Sequence, residues 1–569
     1  MSPRRGSALR ARGAGAGRPA PLDGVALSLY QGLFAACAEE MGATLMRAAQ
    51  SPNITERLDH SCALFDARAR LIAQAAHIPV HLGSMPRAVE AARALAPFTR
   101  GDVVLLNDPF AGGTHLPDLT LVSPVFLAGD RRPSFFVASR AHHADVGGSA
   151  PGSLPLAREV FEEGLRIPPV FLRRAGRPVR DVEALVLANV RTAAERRADL
   201  AAQLGAQATG EARLVGLSRR AGAEALRAAA AALLASTGRR TRAALSRLPR
   251  GRWRFADVLD GDGLGSGPLR IAVALSLDGR AARLDFTGTA PQARGPVNAV
   301  LAVTRAAALY AIRCALGEDL PVNDGLLRCV EVRAKEGSLV HARLPAAVGA
   351  GNVETSQRIV DVVLGALAKA LPGRIPAASS GTMNNLLIGG TDPRTGGPFA
   401  YYETLAGGHG AGPTWDGASA LQAHMTNTRN TPIESLEHAY PLRVASLRVR
   451  AGSGGGGRRR GGDGIERAIE LLADARVTVI AERRDRGPWG LAGGTAGRPG
   501  AATLRRPGRA AEPLPAKFTI DAPKHAVITV TSPGGGGWGR IAADRRSRRR
   551  GVTRSERKRA RPKERPTRR

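Results

Sequence analysis

The chain has 569 residues, 43% of them hydrophobic, so it is long enough and apolar enough to bury a sizeable core. A formal net charge of +33 points at first to nucleic acid, but residues 540–569 hold fifteen Lys/Arg against three Asp/Glu, a net +12 in the tail alone, and the Arg, Ala and Gly bias reads as high-GC coding. No run of eighteen apolar residues exists, which excludes a membrane-spanning helix, and four scattered cysteines with no C-x-x-C pair exclude a disulfide framework.

The cytoplasm is therefore the expected location, and nucleic acid is not an expected partner. Residues 1–22 lack an apolar stretch and read as a disordered leader, with a transit peptide as the sharper alternative. From Ala26 to Ser51 apolar residues recur every three or four positions (Leu29, Leu33, Cys37, Met41, Leu45), as an amphipathic helix requires, and Pro52 ends it. Glu56, Arg57 and Asp59 read as an ion-pair network holding that helix. Two short strands around a turn follow from Cys62, then His77 and His81, which Pro79 between them marks as structural rather than helical metal ligands. A helix over 86–95 and a strand over 102–106 deliver the chain to Asn107.

There the sequence reads Asn107-Asp-Pro-Phe-Ala-Gly-Gly-Thr-His-Leu-Pro-Asp, and after two apolar strands it reaches Ala141-His-His-Ala-Asp-Val-Gly-Gly. His115, Asp118, His142, His143 and Asp145 thus lie where strands end in loops, and imidazole with carboxylate is the donor set of a divalent transition-metal site. Side chains alternate along a strand, so His142 and His143 face opposite ways and one of them is the ligand.

Residues 182–250 are Ala-rich and helical, read as two surface-lined helices or a helical hairpin without obvious chemistry. A β-rich region follows, with Asp278-Gly279 marking a hairpin between 269–277 and 282–286. Helices are expected over 299–316 and 356–371, the latter capped by Thr355 or Ser356. His409 lies in a Gly-rich loop, and Asn427, Arg429, Asn430 and Glu434 offer amide, cation and carboxylate groups suited to an imide-like substrate. Gly454–Gly457 with Arg458–Arg460 could cradle a phosphate, although a basic solvated face is the commoner meaning of such a run. The expected fold is mixed α/β (α+β), a large multi-lobed chain with a β-rich core, an Ala-rich helical segment and disordered termini. Its expected divisions are 1–22, 23–181 with the His/Asp site, 182–250, a catalytic 251–539, and a basic tail over 540–569 that is either disordered or the product of a frameshift.

The Asn107 and Ala141 stretches, with His424-Met-Thr-Asn-Thr-Arg-Asn-Thr-Pro-Ile-Glu, Asp285-Phe-Thr-Gly-Thr-Ala-Pro-Gln-Ala-Arg-Gly-Pro-Val-Asn and Pro488-Trp-Gly-Leu-Ala-Gly-Gly, resemble the hydantoinase B/oxoprolinase family in family order. The resemblance implies an ATP-dependent cyclic-amide hydrolase of hydantoinase or 5-oxoprolinase type. In it, an A-type partner uses ATP to phosphorylate the substrate's carbonyl and this chain opens the ring. The related ketone carboxylases are the alternative. It further implies a divalent metal, manganese first with zinc or iron as alternatives, on His115, Asp118 and His142. His143, Asp145 and His409 are then expected in supporting catalytic roles.

Overall fold

The computed structural model describes residues 22–541 apart from 76, 82 and 318. The expected leader and basic tail lie outside the described residues, except for residues 22, 540 and 541. The first helix, Gly24–Ala48, is capped by Asp23, whose side chain accepts from Ala26 N at 2.7 Å. It buries Phe34, Cys37, Met41 and Leu45; of the stripe its periodicity announces, Cys37, Met41 and Leu45 are buried, whereas Leu29 is exposed.

A seven-stranded antiparallel sheet lies beneath it. Its strand order is Leu71–Gln74, His60–Asp66, Phe135–His142, Asp118–Val125, Val103–Leu106, Val170–Arg174 and Arg177–Pro178. The three strands His60–Asp66, Asp118–Val125 and Phe135–His142 are buried along their whole length. Both faces are covered, one by Gly24–Ala48 and Ala193–Ala221, the other by Met85–Arg93. That is why these strands read as apolar runs instead of alternating.

The Ala-rich segment forms helices Arg180–Ala188, Ala193–Ala221 and Ala223–Ser246, but it is not a surface appendage. Gln203 and Gln207 are buried and donate from Nε2 to the carbonyls of Leu119 and Leu121, at 3.1 and 2.8 Å. Gly210 lets the first helix approach, since a side chain there would run into Met41 Sδ.

The Asp278–Gly279 turn joins antiparallel strands Leu269–Leu277 and Ala282–Asp285 as the sequence indicates. Helix Ser356–Ala370 packs on this sheet. Its expected cap is corrected. A π-helical turn, Gly351–Thr355, leads straight into it, and neither Thr355 nor Ser356 caps an N-terminus. Ser356 Oγ donates back to Asn352 O at 2.6 Å. Two more antiparallel sheets, one containing Asn385–Thr391 and Ala475–Ile480, the other Ile465–Leu471 and Val527–Thr531, share one core around Ile388, Val477, Ile469 and Ile528.

Glycine segments around 407–417, 454–464, 490–497 and 534–537 pack backbone to backbone. Gly462 N donates to His409 O, Gly535 N to Gly462 O, Gly455 N to Gly535 O and Gly537 N to Thr495 O, all between 2.8 and 2.9 Å. This argues against the phosphate cradle at Gly454–Arg460, the less favoured of the two readings of that run. Gly454, Gly455 and Gly456 spend their N–H groups inside the protein. Arg460 is paired with Asp463, and Arg458 lies over the Trp538 ring.

Candidate metal centre

Asp118 begins one strand and His142 ends its antiparallel neighbour, and the register sets the two directly opposite each other. His115 lies three residues upstream, on the loop that enters the Asp118 strand. Asp118 Oδ1 is 3.1 Å from His115 Nε2 and 3.4 Å from His142 Nδ1, and all three residues are buried. One ligand atom from each comes within 4.8 Å of the others.

The other carboxylate oxygen, Oδ2, accepts from the hydroxyl of Thr114 and lies 3.3 Å from His81 Nε2 and 3.5 Å from Asn352 Nδ2. Burial would raise the Asp118 carboxyl, but the charges of His115 and His81, with hydrogen bonds from His115 and His142, hold it well below the usual carboxylate range. Burial lowers His142, with Asp118 and Asp59 opposing it. His115 is raised: burial works against its charge, and Asp118, Asp59 and the Gly349 carbonyl outweigh it.

The donor set fits a divalent cation. Among the described residues, buried His142 Nε2 makes no hydrogen bond, and the only polar partner of buried His115 Nε2 is the Asp118 carboxylate at 3.1 Å, an arrangement that a bound cation would complete. Tyr402 stacks on the His142 ring at 4.6 Å, and its hydroxyl donates to Asn385 Oδ1 at 3.0 Å. Arg57 lies over the Tyr402 ring, its Cζ 4.6 Å from the centroid, and donates to the Tyr402 carbonyl at 2.7 Å. Arg57 thus belongs to this wall and not to the ion-pair network expected with Glu56 and Asp59. Asp59 sits beside the centre: its carbonyl accepts from His142 N at 3.0 Å, and its charge reaches both His115 and His142.

Three residues expected in catalytic roles are not brought to the cluster. His143 faces the other side of its strand, where Nε2 meets Gln203 Oε1 at 3.0 Å, and strand alternation is the reason. Asp145 uses both oxygens to bind Gly147 N, Gly152 N and Arg191, so it organises its loop. His409 is held in the glycine core by the Gln422 carbonyl at 2.8 Å.

Of the expected substrate groups, Asn430 donates to Thr404 O at 3.0 Å and pins its loop. Asn427 reaches the His77 carbonyl at 3.4 Å, and Val80 N donates to Met425 O at 3.2 Å, so this loop lies against the 77–81 turn that carries His81. Arg429 and Glu434 are exposed. Sequence reasoning missed Asp59, Tyr402 and Asn352, and it took His81 for a structural residue. Asp59 carried a usable signal, since it precedes a strand that pairs with the one ending in His142.

Strongly shifted buried groups make stability depend on pH. Burial pushes His60 and His424 down to about 3 and His77 and His143 down to about 4. It pushes the Glu163 and Glu354 carboxyls up to about 8. As pH falls below 6.5, unfolded histidines gain protons the folded ones refuse, so stability drops. As pH rises from 4.5 to 8, unfolded carboxyls lose protons the folded ones keep, so stability also drops. Among these six groups, four histidines oppose two carboxyls between 4.5 and 6.5, a net slope of two groups, at most about 3 kcal/mol per pH unit. Above 6.5 the raised carboxyls and the raised His115 all lower stability as pH rises. The melting temperature of chelator-treated protein is expected to peak near pH 6.5, and a profile that is level from pH 5 to 8 would contradict this balance.

A mixed α/β fold built around a buried two-imidazole, one-carboxylate cluster at strand ends defines the class of protein. A family model described as hydantoinase B/oxoprolinase matches residues 23–541. 5-Oxoprolinase 1 of Arabidopsis thaliana is 38% identical over 545 residues, covering 91% of this chain and 42% of that protein. A putative B-type D-/L-hydantoinase component from Pseudomonas sp. is 30% identical over 539 residues, covering 91% of this chain and 90% of that protein. Among solved structures, an ATP-dependent caprolactamase from Pseudomonas jessenii superposes with a TM-score of 0.85 at 29% identity, covering 93% of this chain and 94% of that one. Acetone carboxylase in its nucleotide-free form gives 0.83 at 19% identity, covering 90% and 75%, a likeness of fold alone. The chain belongs to the hydantoinase B/oxoprolinase family. It spans less than half the length of the 5-oxoprolinases it matches and nearly all of the hydantoinase component. No helix among the described residues is long and apolar enough to cross a membrane.

Proposed function

We propose that this chain is the ring-opening component of an ATP-dependent cyclic-amide hydrolase, acting on a 5-oxoproline- or hydantoin-like ring. It works in a cytoplasmic hetero-oligomer with an A-type partner that uses ATP to phosphorylate the substrate's carbonyl oxygen. The observation that carries this reading is the buried His115, Asp118 and His142 cluster in a chain of this family. The metal is manganese, with zinc or iron as the alternatives to be separated by elemental analysis.

A divalent ion on those three residues would supply a Lewis acid that acidifies water or polarises a carbonyl. The chain's own residues prepare for it. Asp118 is held ionised, and burial keeps His142 neutral with a lone pair to give. Tyr402 and Arg57 close one side of the His142 ring and keep bulk water from it. Asn427, Arg429 and Glu434, on the segment beside the 77–81 turn, are the groups offered to the substrate's amide and carboxylate functions.

Relatives of 30–38% identity bear 5-oxoprolinase and hydantoinase names, whereas the carboxylase likeness extends to fold only, so the hydrolase reading leads. With ATP and an A-type partner of verified ATPase activity, the protein should release ADP and phosphate and yield the ring-opened amino acid from 5-oxoproline or a hydantoin. An absence of turnover across that panel overturns the proposal, and bicarbonate-dependent consumption of a ketone would replace it with the carboxylase.

A further inference from the structure

We propose that Glu163 is a positioning residue for His115, acting through the Val348–Gly349 backbone to aim the imidazole's Nε2 at the cation site. The inference rests on the reading of His115, Asp118 and His142 as that site. Glu163 ends the short helix Val160–Glu163 and is 1% exposed. The helix is tied to the same loop it clamps, since Val160 N donates to Pro345 O at 2.8 Å. One carboxyl oxygen, Oε1, accepts from two successive backbone groups, Val348 N at 2.9 Å and Gly349 N at 2.7 Å. The Gly349 carbonyl in turn meets His115 Nδ1 at 3.3 Å.

A carbonyl oxygen can only accept. The neutral His115 ring therefore carries its proton on Nδ1 and its lone pair on Nε2, the nitrogen 3.1 Å from Asp118 Oδ1. The group that selects this tautomer hangs on a glycine, the residue whose backbone rotates most freely. Glycine is needed for the approach: a Cβ at Gly349 would lie 2.8 Å from Leu154 Cδ2 and 3.1 Å from Glu163 Oε1. Downstream the chain is fixed, because Gly351 N donates to Pro296 O at 3.1 Å as the π-helical turn begins. Upstream, Glu163 supplies the restraint.

The environment keeps the clamp from acting as a competing ligand. Burial pushes the Glu163 carboxyl up to about 8, against the pull of the two N–H groups and of His115. At neutral pH it is mainly the acid form, so it adds little charge beside Asp118. Oε2, which has no hydrogen-bond partner among the described residues, is the oxygen that carries the proton.

The test is calorimetric titration of manganese(II) chloride into the chelator-treated full-length chain, compared among wild type, Glu163→Gln, Glu163→Asp, Glu163→Ala and His115→Ala. Circular dichroism and melting temperature are recorded for each. His115→Ala is expected to abolish binding. Glu163→Ala should weaken it about 10- to 100-fold while keeping a native spectrum. Glu163→Asp, one methylene too short to hold both N–H groups, should fall between. Glu163→Gln keeps the accepting oxygen and should stay within about threefold of wild type. If Glu163→Ala does not fold, the Asp and Gln variants carry the same comparison. Wild-type affinity in the Asp and Ala variants, whatever their melting temperatures, would assign Glu163 to loop stability alone and overturn the proposal. A loss in Glu163→Gln as deep as in Glu163→Ala or Glu163→Asp would overturn it too. Wild-type affinity in His115→Ala would overturn the cation site itself, and this role with it.

Discussion

Asp118→Asn is expected to lower ring-opening turnover by about 100-fold or more and to weaken metal binding in parallel. The side chain keeps its shape, so the effect isolates charge. Oδ1 is the atom shared by His115 and His142, at 3.1 and 3.4 Å, and an amide there presents no negative charge to a cation between them. His115 owes its raised affinity for a proton mainly to Asp118, working against burial, and would fall back toward the neutral form. On the other oxygen, Thr114 and Asn352 donate and His81 lies within reach, so an amide nitrogen placed there would face donors. Turnover with the A-type partner and titration with manganese(II) measure the two effects. Wild-type turnover would remove Asp118 from the reaction, and lost turnover with intact metal affinity would limit it to chemistry beyond binding.

Gly535→Ala is expected to be among the most damaging single-methyl changes at the described glycines. A Cβ there would run into the carbonyl of His409 and lie 2.7 Å from Gly410 N. Gly535 also donates to Gly462 O and accepts from Gly455 N, at 2.9 and 2.8 Å, so the segment cannot move aside without breaking both bonds. Overpacking against backbone should cost at least about 3 kcal/mol, enough to send much of the protein into inclusion bodies. Gly456→Ala is the matched control, because its Cβ would meet nothing nearer than Thr495 Oγ1 at 3.6 Å. Urea unfolding of the soluble fraction measures the difference. Equal midpoints for the two variants would mean that the glycine segments are not packed as described.

The His/Asp clusters are legible in the sequence because they sit at strand ends; strand alternation sets His142 and His143 on opposite faces, and the family resemblance selects His142. What joins them is less legible. The 118–142 register follows from a hairpin, but Tyr402, Asn352 and Glu163 reach the centre from up to 287 residues away along the chain, and no local periodicity encodes such a meeting. The glycines mislead for a physical reason. A run such as Gly454–Gly457 signals close backbone approach, and a phosphate and a neighbouring chain segment demand it equally; the segment is what lies there. The Ala-rich helices mislead in the opposite way. Their weak amphipathicity suggests a surface, while Gln203 and Gln207 are needed to satisfy carbonyls of the sheet beneath.

The central claim is that His115, Asp118 and His142 hold a divalent cation. Elemental analysis of wild type and His142→Ala after dialysis against equimolar manganese, zinc and iron tests it most directly. About one equivalent of one metal per wild-type chain and almost none in the variant is the expected result. Equal metal content in both proteins would contradict the account.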